Sequence, residues 1–305
     1  MPTEKTYTIE KPAGCTLCPR RCGADRETRT GVCGCGAELK VARAALHMWE
    51  EPCISGTRGS GTVFFSGCPL HCMFCQNRAI SDGKAGKVIT TERLAAIFPE
   101  LQEKGAANIN LVTPGHYAPQ VTEAVTAAKK AGLTLPVICN TGGYESFETV
   151  KLLARVTDVW LPDLKYADRE TARKFSHAPD YPETAKRALD LMVEQAGELS
   201  FSDDGYVKKG VIVRHLVLPG HVEESKEIIQ YLYERYKDRI WVSIMNQYTP
   251  PAEKLPYPEL NRKLTSYEYK KVVDFALSLG MENAYIQEGG TAKESFIPAF
   301  DCEGV

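Results

Sequence analysis

From about residue 60 onward, short apolar runs alternate with longer stretches whose apolar residues recur every three or four positions. The runs Gly61–Phe65, Asn108–Thr113, Leu135–Asn140, Asp158–Lys165, Gly210–Leu218 and Ile240–Met245 have the length and continuity of buried strands. Between the first two, Thr90-Thr91-Glu92 has the form of a helix start, and Leu94, Ile97, Phe98 and Leu101 follow at helical spacing. Further helices are expected near 118–131, where Gly132 ends the run, from about 146 to 155, over one longer stretch of 168–197, and over Val222–Tyr236. Continuous apolar strands separated by helices imply a parallel sheet covered on its outer face. Six β/α units amount to three quarters of a TIM-type barrel, although periodicity alone also allows a doubly wound open sheet. Both place function at the carboxyl ends of the strands.

Residues 12 to about 53 break this rhythm. They are rich in glycine and cysteine, show little periodicity, and read as a small irregular unit that needs a metal for stability. The expected division is a cysteine-rich metal-binding segment over 1–55 and a β/α body over 56–305.

Composition changes this picture in one respect. Hydrophobic content of 43%, 25% charged residues and a net charge of −2 are ordinary for a globular protein and favour neither nucleic acid nor a membrane surface. Eleven cysteines, nine of them before residue 76, are not ordinary. Their odd number and close spacing suit metal sites better than a disulfide framework. Met1–Lys11 is polar and no run reaches the length of a membrane span, so a reducing, cytoplasmic setting is expected.

The densest chemistry is Cys68-Pro69-Leu70-His71-Cys72-Met73-Phe74-Cys75, which follows the first strand and the glycine turn Ser66-Gly67. A disulfide cannot use three thiols, and a structural zinc site needs a fourth ligand close by. Iron–sulfur cubanes are held by cysteine thiolates, and three of them would leave one iron open to a further ligand. This C-x3-C-x2-C, with Phe74 before its last cysteine, resembles the signature of the radical S-adenosylmethionine (SAM) superfamily. The resemblance implies a [4Fe-4S] cluster on Cys68, Cys72 and Cys75 and an incomplete (β/α)6 barrel. It also implies one-electron cleavage of SAM to methionine and a 5′-deoxyadenosyl radical.

The other strand ends are similar to those of the glycyl-radical-enzyme activating enzymes, pyruvate formate-lyase activating enzyme among them. Where many superfamily members carry Gly-Gly-Glu, this chain has Thr113-Pro114-Gly115-His116, so the resemblance assigns the SAM amino group to backbone carbonyls at Thr113 and Pro114. Asn140 and Thr141 match an Asp-Thr pair that helps to bind a monovalent cation beside SAM, with the charge removed by Asn. Asp163-Leu164-Lys165 matches Asp-x-Lys, in which the ammonium meets the SAM carboxylate and the Asp keeps it charged. Arg214, with Leu218-Pro219-Gly220, matches an Arg-x4-Pro-Gly pattern, and an arginine inside an apolar strand needs a buried anionic partner. His215 points to the opposite face and reads as a packed core residue. Tyr248 stands where the relatives have His beside the nucleoside, and Phe74 belongs to the same set.

Cys15, Cys18, Cys22 and Cys33 form C-x2-C-x3-C-x10-C, which suits either a closed tetrahedral zinc or a second iron–sulfur cluster. Cys35 and Cys53 compete for the fourth position. Arg20 and Arg21 read as a solvated face, and Cys139 and Cys302 as structural thiols. The expected function is hydrogen abstraction by the SAM-derived radical, from a glycine of a partner glycyl radical enzyme, with flavodoxin or ferredoxin as reductant. Modification of a peptide side chain or small metabolite is the alternative enzyme reading. An iron–sulfur electron carrier or interaction module is the non-enzyme one.

Overall fold

The structure is a computed structural model and describes residues 14–287 and 297–305; the polar stretch Met1–Lys11 lies outside them. Strand formation begins earlier than the periodicity indicates. Leu39–His47 forms β1, inside the segment expected to be irregular, and after a single turn of helix (α1, Pro52–Ser55) it pairs antiparallel with β2, Ser60–Phe65. The centre of β1 reads Ala42-Arg43-Ala44-Ala45, and alanine is depleted in strands. Its strand state therefore comes from pairing and burial rather than from local preference, and the expected boundary at residue 55 falls beyond a strand of the main sheet.

Beyond β2 come a short helix, α2 (Arg78–Ser81), and β3 (Lys87–Ile89), which pairs with the outer edge of β1. Then α3 (Thr91–Glu103) begins where the Thr90 hydroxyl caps the Arg93 N–H. The remaining units are β4 (Ile109–Val112) with α4 (Ala118–Lys130), β5 (Val137–Thr141) with α5 (Phe147–Leu153), and β6 (Val159–Pro162) with α6 (Arg169–Ser176) and α7 (Tyr181–Ala196). After β7 (Ser200–Phe201), an antiparallel addition to the next strand, come β8 (Val207–Leu216) with α8 (Val222–Tyr236), β9 (Trp241–Met245) with α9 (Ser266–Ser278), and β10 (Ala284–Ile286). The single helix expected over 168–197 is two. It breaks where His177 takes a left-handed conformation (φ 50°) ahead of Pro179, which cannot donate to a continuing helix.

The sheet order is β10-β9-β8-β6-β5-β4-β2-β1-β3. Along this order, from which β7 is absent, every pair between β2 and β10 is parallel and the strands follow chain order without reversal. A doubly wound sheet reverses at a switch point; this one does not, so it is the incomplete (β/α)6 barrel with an antiparallel edge added on one side and β10 on the other. Every residue of β2, β4, β5 and β6 is buried, as strands covered on both faces must be. Among the described residues no helix is long and apolar enough to cross a membrane.

Candidate active site at the carboxyl ends of the strands

β2 delivers the chain to Ser66 and Gly67. Gly67 has φ 89°, and a Cβ there would lie 2.3 Å from Cys35 Sγ, so only glycine turns the chain at this point. The following loop turns Cys68, Cys72 and Cys75 into one cavity of about 230 Å³. Main-chain bonds fix it: the Cys68 N–H donates to the Cys33 carbonyl (3.1 Å), Met73 N–H to Phe175 (3.0 Å) and Cys75 N–H to Cys72 (3.0 Å). The Ser176 hydroxyl donates to Cys72 Sγ (2.9 Å), which makes Tyr166 the donor to Ser176 (2.7 Å). Burial pushes the Cys68 and Cys75 thiols up to about 12, and the neighbouring cysteines add to the shift. Such thiols become thiolates only against a strongly positive group, as ligands do. Among the described residues no three His, Cys, Asp or Glu side chains are arranged as ligands of a single ion. Three soft thiols lining one cavity fit a multi-iron cluster with an open position.

Opposite this loop lies a buried network of charge. Asp163, at the end of β6, forms an ion pair with Lys165 and accepts from Arg214 Nε (3.0 Å). Arg214 also donates to Asn140 Oδ1 (2.6 Å) and to Glu50 (3.3 Å), and Asn110 donates to the other Glu50 oxygen (3.0 Å). Burial alone would raise the Asp163 pKa, but Lys165 and Arg214 more than offset it and hold the carboxyl below its usual range. The Lys165 ammonium is likewise disfavoured by burial and restored, above its ordinary value, by Asp163 and the neighbouring Cys72. Tyr181 of α7 accepts from Lys165 N–H (3.0 Å), and its hydroxyl lies 2.9 Å from both the Gly142 and Asp163 carbonyls. One side chain thereby pins the ends of β5 and β6. Gly143 completes that junction, because a Cβ there would sit 2.2 Å from the Asp163 carbonyl oxygen.

The structure brings Phe74, Thr113, Asn140, Thr141, Asp163, Lys165 and Arg214 to the same cavity as the three thiols. Thr113 holds a left-handed backbone (φ 59°), uncommon for a branched residue and a mark of local strain beside the site. Two expected contacts are different. The Pro114 carbonyl accepts the Tyr117 N–H (2.9 Å) in the turn leading to α4, and Pro114 does not line the cavity. Tyr248 is buried behind Phe74, with its hydroxyl donating to the Leu260 carbonyl (2.7 Å), so it supports the wall rather than facing the cavity. His215 is the packed core residue expected, its Nδ1 2.8 Å from the Leu164 carbonyl.

Arg20 is not a solvated residue, whereas Arg21 is exposed. The Arg20 guanidinium donates to the carbonyls of Pro69 (2.9 Å), Ser176 (2.9 Å) and His177, tying the amino-terminal cysteines to the loop of the other three. Sequence reasoning also missed Glu50 and Glu51. Burial raises both carboxyls, and one Glu51 oxygen is buried without a partner. The signal was present: Arg214 in an apolar strand needed an anion, and an adjacent acid pair precedes Pro52. Ile297 and Pro298 also line the cavity, and the chain beyond them is anchored to β1 through Arg43, which pairs with Asp301 (2.8 Å) and Glu303.

Comparison with known proteins agrees with this geometry. Residues 62–232 match the family model of the radical SAM superfamily. A curated relative, the uncharacterized protein MJ0674 of Methanocaldococcus jannaschii, is 30% identical over 278 residues, covering 89% of this chain and 76% of its own. Among solved structures, Streptococcus suis SuiB bound to SAM superposes with a TM-score of 0.52 at 15% identity, over 73% of this chain and 49% of that one. SuiB bound to its precursor peptide SuiA gives 0.53 at 14% identity, over 73% and 47%. This chain therefore spans about half the length of SuiB. A domain of a pyruvate-formate lyase-activating enzyme from Bacteroides vulgatus gives 0.40 at 15% identity, over 56% of this chain and 92% of that one.

Proposed function

The chain belongs to the radical SAM superfamily, and from that premise we propose that it cleaves SAM reductively and takes a hydrogen atom from a polypeptide, a glycine of a partner protein being the leading target. When bound, the [4Fe-4S] cluster and SAM supply the 5′-deoxyadenosyl radical that accepts this hydrogen. The observation that carries the reading is convergence: three thiols from one loop and the Asp163, Lys165 and Arg214 set from two other strands line a single cavity. Lys165 presents an ammonium to a carboxylate, and Asp163 keeps it charged and aimed. Arg214 holds Asp163 in place from behind and is itself held by Asn140, an arrangement suited to an anionic group that must not rotate. Leu70, Phe74, Leu216 and Met245 supply an apolar wall that excludes water from a reactive intermediate.

The glycine target is supported by the likeness of the Asn140-Thr141, Asp163-Leu164-Lys165 and Arg214 segments to the activating enzymes. Modification of a peptide side chain is a second reading, supported by the likeness to SuiB, a structure of which holds a precursor peptide. Either reaction takes its electron from a low-potential carrier of the flavodoxin or ferredoxin class.

Anaerobic protein reduced by dithionite should convert SAM to methionine and 5′-deoxyadenosine in equal amounts. With a polypeptide substrate deuterated at glycine Cα, the label should appear in the 5′-deoxyadenosine. Label arriving only from a deuterated side chain selects the second reading, and absence of SAM cleavage overturns both.

A further inference from the structure

We infer that Cys15, Cys18, Cys22 and Cys33 hold a second iron–sulfur cubane, ligated by all four thiolates, that passes single electrons to the strand-end site. The relay role rests on the SAM chemistry proposed above; the presence of the cluster does not.

Main-chain bonds gather the four thiols. Cys15 N–H donates to Ala24 O (2.9 Å) and Gly23 N–H to Cys15 O (3.1 Å), closing a loop that carries Cys15, Cys18 and Cys22. Gly31 N–H to Cys35 O (2.9 Å) and Gly34 N–H to Gly31 O (3.0 Å) make the turn that brings Cys33 back to them. A Cβ on Gly31 would lie 3.3 Å from Cys22 Sγ and 3.6 Å from Cys33 Sγ, so those two thiols flank one point. Cys18 lies within electrostatic reach of both Cys33 and Cys15. The rival thiols have other engagements. Cys35 Sγ lies within hydrogen-bond reach of the Cys33 thiol but donates to the Ser66 carbonyl (3.2 Å) and sits against Gly67, and Cys53 is packed among Ile138, Val159 and Leu161 inside the barrel.

The choice between metals follows from spacing. Four thiols satisfy either a closed zinc site or a cubane, so the neighbouring cysteine loop decides between them. The Cys68, Cys72 and Cys75 triad, which family membership assigns to a cubane, has the intervals x3 and x2, and Cys15, Cys18 and Cys22 have the same two in the opposite order. Two loops with one kind of donor and one kind of spacing call for the same kind of group. Four thiolates leave no open iron, so this cluster binds no substrate and is left with electron transfer.

The route is short and built. The Cys33 carbonyl accepts directly from the Cys68 N–H (3.1 Å), one hydrogen bond between residues of the two ligand sets. Arg20, between Cys18 and Cys22, reaches Pro69, and His71 Nε2 lies 2.6 Å from the Val32 carbonyl. Cys15 and Cys22 are half-buried, which leaves an outer side for a donor. One electron leaves a low-potential one-electron carrier, reduces the outer cluster from the 2+ to the 1+ state and moves on to the inner one; no atom is transferred.

Anaerobically reconstituted wild-type protein should hold about eight irons per chain, four for each cubane. The variant C68A/C72A/C75A should keep about four irons and, on reduction, show the electron paramagnetic resonance of a reduced cubane. Adding Cys18→Ser should empty it, whereas adding Cys35→Ser should not. About four irons with one zinc in the wild-type protein, which needs no variant to fold, would overturn the cluster. Iron lost with Cys35→Ser instead of Cys18→Ser would overturn the ligand set. Rapid-freeze reduction of the wild-type protein by reduced flavodoxin should show the outer signal rising before the inner one, and the reverse order would overturn the relay. SAM cleavage is read separately, so a protein with about eight irons and no 5′-deoxyadenosine would count against the strand-end chemistry alone.

Discussion

Two cysteine loops meet in this protein, and they are held in different ways. Residues 66–77 hang from β2, a strand buried at every position, and their thiols face a cavity whose other walls are the ends of five more strands. Residues 14–36 contain no helix or strand. They are held by polar contacts: Arg20 on the Pro69 and Ser176 carbonyls, Arg26 on His116 O and Gly36 O, and Leu17 O as acceptor for Ser146 (3.0 Å). The sheet determines the geometry of the first loop before any metal arrives. The second has main-chain bonds of its own but no strand beneath it, and guanidinium groups docked on its neighbour set its position.

The sharpest way to break this comparison is at the inner loop itself. Cys72→Ala should abolish SAM cleavage, a loss beyond about a thousandfold given that the cluster carries the reaction. Unchanged 5′-deoxyadenosine yield would mean that the strand-end thiols are not the reacting centre.

The seam between the outer loop and the start of α5 holds Glu145, a buried carboxyl whose pKa desolvation raises to about 8. An unfolded glutamate ionises near 4.5, so the folded form binds the extra proton and stability should fall as pH rises from there to about 8. At 1.36 kcal/mol per pK unit the loss is on the order of 5 kcal/mol. Glu145→Gln, neutral throughout, should flatten that slope in urea titrations across the pH range. A wild-type protein with no slope in this window would show that the seam is wetter than its packing implies.

Arg20→Ala removes three carbonyl contacts and should weaken docking of the outer loop by about 2–3 kcal/mol. Proteolysis within residues 14–36 should then speed up by a factor of about 30–150, with the barrel intact. An unchanged rate would show that the outer loop holds itself. At the inner site, Lys165→Ala should weaken SAM binding by about 1.5–3 kcal/mol, or ten- to a hundredfold, measured by anaerobic titration. Iron content should stay at the wild-type level, because Lys165 pairs with Asp163 and not with the cluster loop's metal. The smallest effect is expected of Ser176→Ala, which removes the donor to Cys72 Sγ. Losing about 0.5–1.5 kcal/mol of preference for the more negative, reduced cluster lowers its potential by about 20–60 mV. A potentiometric titration with no shift would show that the contact is structural only.

Much of the strand-end site was legible because its parts are local. C-x3-C-x2-C occupies eight consecutive residues after an apolar run, Asp163 and Lys165 are two apart, and each stands at the end of a strand whose continuity announces its burial. Periodicity likewise sufficed for the six β/α units, since each strand and helix states its own burial pattern. What remained hidden depends on residues far apart in the chain. The alanines of β1 carry little strand preference of their own and become a strand through pairing with β2. The break at His177, the withdrawal of Tyr248 behind Phe74, and the engagement of Pro114 by Tyr117 are each settled by packing. The sequence by itself determined which residues could carry iron, charge and a parallel sheet. Only the tertiary structure decided that Glu50 answers Arg214 across 164 positions, and that Arg20 bridges 49 positions to Pro69. A buried charge or a bare carbonyl must find its partner in space, and separation along the chain says nothing about who that partner is.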